Sequence, residues 1–324
     1  MKSLGGVIVP SITIFNENYE VNLRANLILY NHILLNGADS IFLFGSMGEG
    51  LFFHNNVKEK IKLIELAYHE SNKKIPILCG VFGNQADEIL NQMEQLGKVF
   101  KDLFFVLAPP FKKKLNFAEL NSFFENSIGS FNLQNKIILY NNPTNFANNE
   151  IEIDHIKKLL HFSNVKGIKD TTMDIKNTHS YTQFMNEDFG LYCGNEYNYA
   201  KFYQGLPTEL RRFSGVVPST SNIANVCKKL FDNALKGKDN EVQELQKQLK
   251  DVMIKIYDEQ PHIGKEQRSL KFALYTLYKN EIFSSLEEIM NISPNMHKSL
   301  SDNTKERIKN NLQDLINSNF IQIL

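Results

Sequence analysis

Apolar residues in the first two thirds of this chain alternate between two patterns. Short runs that are apolar almost throughout occupy residues 6–15, 38–45, 76–82, 103–110, 136–143, 165–170, 191–196 and 212–219. Between them lie stretches with apolar residues three and four apart, among them 23–35, 57–69, 86–98, 117–128 and 151–160. The runs predict eight strands, because near-continuous apolar character marks strands covered on both faces. The intervening spacing predicts amphipathic helices. Eight strand–helix units of roughly 25–30 residues make up the ~250 residues of a closed (β/α)₈ barrel. The fold class expected is therefore α/β, a TIM barrel. The rival is an open doubly wound sheet. Its nucleotide-binding forms carry Gly-x-Gly-x-x-Gly after the first strand or a Gly-Lys-Ser/Thr phosphate loop, and neither string is present where it would be needed.

Beyond Ser219 the pattern turns wholly helical, with helices predicted at 223–236, 240–257, 267–278 and 304–316. The last three exceed what a barrel needs and form a C-terminal helical extension. The expected division is a catalytic barrel over residues 1–237 and an extension over 238–324. No long Pro/Gly/Ser linker separates the two, so the extension is expected to pack on the barrel, where such additions often build subunit contacts.

Charge narrows the classes of partner. Thirty-six basic side chains balance thirty-six acidic ones, so no broad field recruits nucleic acid or an anionic membrane. A small neutral or singly charged ligand fits better. Cys79, Cys193 and Cys227 are odd in number and widely spaced, unlike a zinc site or a disulfide framework. They read as reduced, buried thiols. Residues 1–6 lead into the first strand without a signal h-region, and no apolar stretch is long enough to span a bilayer. The location expected is cytoplasmic.

In a barrel of this kind chemistry sits at the C-terminal ends of the strands. Strand two closes with Gly45-Ser46-Met47-Gly48-Glu49-Gly50, strand five with Tyr140-Asn141-Asn142-Pro143, strand six with Lys169-Asp170-Thr171 and strand seven with Gly194-Asn195-Glu196. Lys169 ends an apolar run, where an amine loses hydration; that favours the neutral form, which can attack a ketone. Taken alone, a strand lysine more often faces water.

Three motifs in this order resemble a known family, the class I pyruvate-dependent aldolases. It includes dihydrodipicolinate synthase, N-acetylneuraminate lyase and 2-keto-3-deoxygluconate aldolase. Its members look like Gly-Ser/Thr-Thr-Gly-Glu, Tyr-Asn-x-Pro and Gly-Ile/Val-Lys. Here Gly45-Ser46-Met47-Gly48-Glu49, Tyr140-Asn141-Asn142-Pro143 and Gly167-Ile168-Lys169 stand in those places. Gly215-Val216-Val217-Pro218-Ser219 is similar to the family's eighth strand. Short glycine-containing strings recur by chance, so the signal is the set rather than any one string.

The resemblance implies a carbon–carbon lyase in which Lys169 forms a Schiff base with a 2-keto acid and Tyr140 carries protons. It implies no metal and no cofactor beyond that covalent adduct. Ser46, with the amides of Ser46 and Met47, would hold the substrate carboxylate. Thr171, Asn195, Glu196, Val217 and Ser219 would line the substrate site, the polar ones binding hydroxyls. Bland alternatives stand beside these roles: core packing for Tyr140, an N-cap for Ser46, turn formation for Asn195, strand-end capping for Thr171 and Ser219, and a surface carboxylate for Glu196. A homo-oligomer, tetramer or dimer, is also implied.

Three departures bear on substrate. Met47 replaces a threonine. Asn145 stands where the synthases carry an arginine for a second carboxylate. Phe111-Lys112 follow Pro110 where the synthases lend a tyrosine across subunits, leaving Lys112 or water to serve. The reading expected is cleavage of a 2-keto-3-deoxy sugar acid, such as 2-keto-3-deoxygluconate, to pyruvate and a hydroxyaldehyde. N-acetylneuraminate cleavage is the next alternative and 4-hydroxy-tetrahydrodipicolinate synthesis the third. A keto-acid-binding sensor or scaffold is the non-enzyme alternative.

Overall fold

The computed structural model of the protein describes residues 4–16, 18–259, 264–279 and 300–324. Residues 1–3 of the N-terminal stretch read above, and residues 280–299 of the extension, fall outside them. Eight parallel strands close into a barrel in chain order: β1 (Gly6–Pro10), β2 (Ser40–Leu43), β3 (Ile77–Val81), β4 (Phe104–Leu107), β5 (Ile137–Asn141), β6 (Val165–Asp170), β7 (Gly190–Cys193) and β8 (Ser214–Val216). Pairing of β1 with β8, Gly6 opposite Gly215, completes the circle. Helices α1 (Leu23–Leu35), α2 (Val57–Glu70), α3 (Ala86–Val99), α4 (Phe117–Gly129), α5 (Ile153–Leu159), α6 (Ile175–Ser180), α7 (Tyr199–Gln204) and α8 (Val226–Leu235) alternate with them. The TIM barrel expected from the apolar pattern is the fold observed.

Most strands are shorter than their apolar runs. β1 stops at Pro10, which has no N–H to continue the ladder. Ile12, Ile14 and Phe15 beyond it are fully buried even so, as loop residues capping the core. Burial, not hydrogen bonding, is what the apolar run recorded. Side chains divide by strand parity into two apolar sets. Ile8, Phe42, Leu78, Phe104, Val106, Ile138, Tyr140 and Tyr192 fill the barrel interior. Ile41, Leu43, Phe105, Leu107, Ile137, Leu139 and Ile168 face the helices. Gly167 explains part of the Gly-Ile-Lys string: a Cβ there would lie 2.5 Å from the Gly190 carbonyl and 2.9 Å from the Tyr192 ring. Only glycine admits that ring to the layer beneath Lys169.

Three further helices follow: α9 (Asp239–Ile256), α10 (Lys265–Tyr278) and α11 (Asp302–Asn317). α9 packs on α7 and α8, and α11 packs on α10 and α9. α10 also reaches the first barrel helix through His32 of α1, buried against Tyr278. His32 Nδ1 lies 2.7 Å from the Tyr278 hydroxyl, and Nε2 lies 2.9 Å from the Ile223 carbonyl. Burial pushes this imidazole down to about 4, opposed by the Ile223 carbonyl. An unfolded histidine takes its proton near 6.5, so between 6.5 and 4 the unfolded chain binds more protons. Stability should therefore fall as pH drops through that window, by about 3 kcal/mol from this group. Urea midpoints measured from pH 7 to pH 4 should show the loss, and His32→Gln should flatten it; an equally steep fall in the variant would assign it elsewhere.

Cys79, Cys193 and Cys227 are free and buried. Among the described residues no helix is long and apolar enough to cross a membrane.

Candidate active site

Strand parity and register place the two sequence-predicted reactive groups side by side. β5 and β6 pair with Tyr140 opposite Lys169 and Asn141 opposite Asp170. Tyr140 and Lys169 turn into the barrel, while Asn141 and Asp170 turn outward. The outward pair locks the inward one: Asn141 Nδ2 donates to Asp170 Oδ1 at 2.8 Å, and the other carboxylate oxygen accepts from Thr172 and Thr178. Asn141 also meets the Tyr181 hydroxyl, which donates to the Ile151 carbonyl. A slip by one residue would break this network and turn both reactive groups outward.

Lys169 is 7% exposed. Its Nζ stands 3.7 Å from the centre of the Tyr140 ring and 5.3 Å from that of Phe42. Below it the wall is apolar, formed by Ile8, Leu78, Val106, Ile138, Tyr192 and Val217. Tyr140 is 1% exposed, and its ring lies edge-on to Phe42 and Phe146. Its hydroxyl accepts from Asn142 Nδ2 at 2.8 Å and shares a hydrogen bond with Ser46 Oγ at 3.2 Å. Burial alone would push this phenol up. The Lys169 charge beside it and the bonds from Ser46 and Asn142 outweigh that and hold it below the ordinary tyrosine value. A phenol so placed can both give and take a proton next to an amine.

Ser46 sits in the turn after β2. Phe44 (φ 56°) and Glu49 (φ 57°), both left-handed without being glycine, bracket that turn. Gly50 follows, where a Cβ would lie 1.9 Å from the Phe44 carbonyl. Asn145 Nδ2 donates to Ser46 Oγ at 3.2 Å, so the residue standing where the synthases carry arginine extends the chain of polar groups as an amide. Met47 points its side chain at the apolar shell outside the barrel.

The remaining predicted residues divide. Thr171 lies beside Lys169, and its Oγ1 is buried with no hydrogen-bond partner. A Cβ on Gly194 would meet that oxygen at 2.3 Å and Lys169 Cε at 3.2 Å, so amine stem and hydroxyl flank one small space. Val217 forms the inner wall, and Ser219 is half-buried beside it. Asn195 ties its loop to the one after β6, donating to the Thr172 carbonyl and the Met173 sulfur, and accepts from the Tyr197 amide. Glu196 is buried rather than on the surface. One carboxylate oxygen accepts from the amide and hydroxyl of Thr220, the other from the Tyr257 hydroxyl at 2.9 Å. Burial raises this carboxyl, partly offset by those bonds. It joins β7 to the segment after β8 and to the extension.

Sequence reasoning passed over Gln267 and Lys271 of α10. Lys271 Nζ bonds Glu49 Oε1 at 2.7 Å, and Gln267 Nε2 donates to the Ser46 carbonyl at 3.2 Å. The signal available was weak: Gln267 and Lys271 are four apart on one face of a helix whose residues 267–274 are all buried. Phe111 packs edge-on to His54 and Lys112 is exposed, their two amides both donating to Asn84 Oδ1. Among the described residues there is no group of three or more His, Cys, Asp or Glu arranged to hold a metal.

Barrel, lysine and tyrosine define a class, and comparison with known proteins makes it a family. The dihydrodipicolinate synthetase family model matches residues 3–277, so the chain belongs to that family. A 4-hydroxy-tetrahydrodipicolinate synthase from Wigglesworthia glossinidia brevipalpis is 25% identical over 199 residues, 61% of this chain and 65% of that protein. The match thus spans just under two thirds of that relative's length. A 2-dehydro-3-deoxy-D-gluconate/2-dehydro-3-deoxy-phosphogluconate aldolase from Picrophilus torridus is 27% identical over 250 residues, 74% of this chain and 87% of that protein. Among solved structures, dihydrodipicolinate synthase from Thermotoga maritima superposes with a TM-score of 0.80 at 21% identity, covering 96% of this chain and 98% of its own. That likeness bears on the fold alone.

Proposed function

We propose that the protein is a Schiff-base-forming carbon–carbon lyase that cleaves a 2-keto-3-deoxy sugar acid to pyruvate and a hydroxyaldehyde. The observation that carries the substrate class is the buried, unpartnered hydroxyl of Thr171 across a small space from the Lys169 stem. A buried hydroxyl without a partner costs free energy unless a ligand supplies one, and a sugar hydroxyl does so. Asn145 supports the same reading, since an amide bonded to Ser46 Oγ lacks the fork that grips a second carboxylate.

The chemistry follows from the placement. Lys169 Nζ, as the free amine, adds to the C2 carbonyl; Tyr140 gives up its phenolic proton as water leaves, so that a protonated imine stands beside a phenolate, and the final hydrolysis returns that proton. Tyr140 takes the proton from the C4 hydroxyl, the C3–C4 bond breaks, and its electron pair moves into the enamine as the imine nitrogen is neutralised. The hydroxyaldehyde departs. Return of the proton to C3 regenerates the imine, and water hydrolyses it to pyruvate and free Lys169. Ser46 Oγ links Tyr140 to Asn145, and the amides of Ser46 and Met47 receive the carboxylate.

A second reading, condensation of pyruvate with aspartate semialdehyde, is favoured by the names of relatives such as the Wigglesworthia synthase. Assay of 2-keto-3-deoxygluconate, its galactose epimer, N-acetylneuraminate, and pyruvate with aspartate semialdehyde separates the readings. Turnover of the sugar acids is expected. Turnover confined to N-acetylneuraminate, or to the semialdehyde condensation, would overturn the substrate. Thr171→Val should lower kcat/KM for the sugar acid about tenfold, the worth of one hydrogen bond near 1.4 kcal/mol, while pyruvate still forms its adduct. An unchanged ratio would return Thr171 to a capping role.

A further inference from the structure

We infer that Lys271 and Gln267 of α10 are positioning residues for the substrate carboxylate: they hold the turn at 46–49 in the shape that receives it. The inference rests on the reading above, in which that turn binds the carboxylate of the keto acid.

Two contacts carry it. The Ser46 carbonyl accepts from Gln267 Nε2 at 3.2 Å and from the Glu49 amide at 3.3 Å. That carbonyl and the Met47 N–H belong to one planar peptide unit and point in opposite directions. Pinning the oxygen toward α10 therefore aims the Met47 N–H away from α10. With methionine in place of a hydroxyl residue at 47, backbone N–H direction decides much of the grip on an anion.

The second contact fixes the far end of the same turn. Glu49 holds a left-handed backbone conformation (φ 57°), which a side chain bearing Cβ adopts only under tertiary constraint. Its carboxylate meets Lys271 Nζ at 2.7 Å with both side chains 0% exposed. Lys271 also lies 4.8 Å from the centre of the Phe15 ring, and the charges of Arg268 and Glu49 act on one another. Replacing a fully buried ion pair by apolar groups of similar volume is often neutral or stabilising, so such a pair is a weak source of stability. What it supplies here is direction, because a charged bond of this length fixes where Glu49, and the turn it ends, must lie.

The test uses the full chain and borohydride trapping of pyruvate on Lys169 at increasing pyruvate concentration. Gln267→Met, and the double substitution Glu49→Gln with Lys271→Met, keep side-chain volume; the double removes both charges of the pair and leaves buried Arg268 with the charge of Asp258, so it should fold where Lys271→Met alone fails. Each is expected to raise the half-saturating pyruvate concentration about tenfold with the plateau of trapped protein unchanged. Methyl pyruvate, which has the ketone but no carboxylate charge, should show less than a twofold shift in the same variants. Lys271→Arg, which keeps the ion pair, should return the pyruvate value to within about threefold of wild type. Half-saturation at the wild-type concentration in both variants would overturn the inference, as would equal shifts for pyruvate and its ester, which would mean that Lys169 itself had moved. If the wild-type chain traps no pyruvate, the Schiff-base reading fails and takes this inference with it.

Discussion

Lys169→Ala is expected to abolish turnover, by at least roughly 10⁴-fold, and to remove the borohydride-trapped pyruvate adduct while leaving a folded protein. The size follows from the role: an amine that carries the substrate covalently has no substitute among groups that merely bind it. Survival of the fold follows from the site. Lys169 is confined by apolar walls and the Tyr140 ring, and the strand is held by pairing with β5 and β7 and by the outward Asp170 network. Loss of the side chain opens a cavity and costs a few kcal/mol at most. Intact-protein mass after reduction, read with single-turnover pyruvate release and a urea midpoint, checks all three parts. Residual turnover near the wild-type rate would remove the Schiff base from the mechanism.

The next largest effect is expected from Tyr140→Phe, a loss of roughly 10²–10⁴-fold in kcat, the scale of a positioned proton-transfer group. The ring would keep its edge-on contacts with Phe42 and Phe146, so packing changes little. What disappears is the oxygen on which Asn142 and Ser46 converge. The phenol lies below its ordinary value because Lys169 and those two bonds overcome burial, so a phenolate base forms at lower pH than a free tyrosine would allow. The rate should therefore climb as pH rises through that depressed value, and the climb should vanish in the phenylalanine variant. A pH–rate profile with the same ascending limb in both proteins would reassign Tyr140 to packing.

The barrel was legible because its signal is one-dimensional. Each strand is covered on both faces, and eight apolar runs separated by helical spacing admit few other folds. Lys169 and Tyr140 were legible for a related reason, since strand parity and strand-end position are properties of sequence. Strand ends were less so: the run at 6–15 continues past Pro10 because Ile12, Ile14 and Phe15 cap the core outside the barrel ladder, Phe15 bridging only to Val21. α6 and α7 are only six residues each, too short for helical periodicity to stand out. Glu196 illustrates the limit for polar residues. A carboxylate at a strand end reads equally as a surface group or a hydroxyl ligand, and its engagement by Thr220 and Tyr257 depends on segments 24 and 61 residues away. Gln267 and Lys271 were missed for the same reason, because a helix in the extension gave no hint of which barrel loop it would cover.

The bond between Glu49 and Lys271 spans 222 residues of sequence. As the chain leaves the ribosome, the β2 loop is made early and its anchoring cation late, so strand pairing can begin long before the loop can settle. A nascent barrel would hold a carboxylate destined for burial with its cation still unsynthesised, and hydration keeps such a loop open until the partner arrives. The turn at 46–49 therefore cannot take its final shape until α10 has been made.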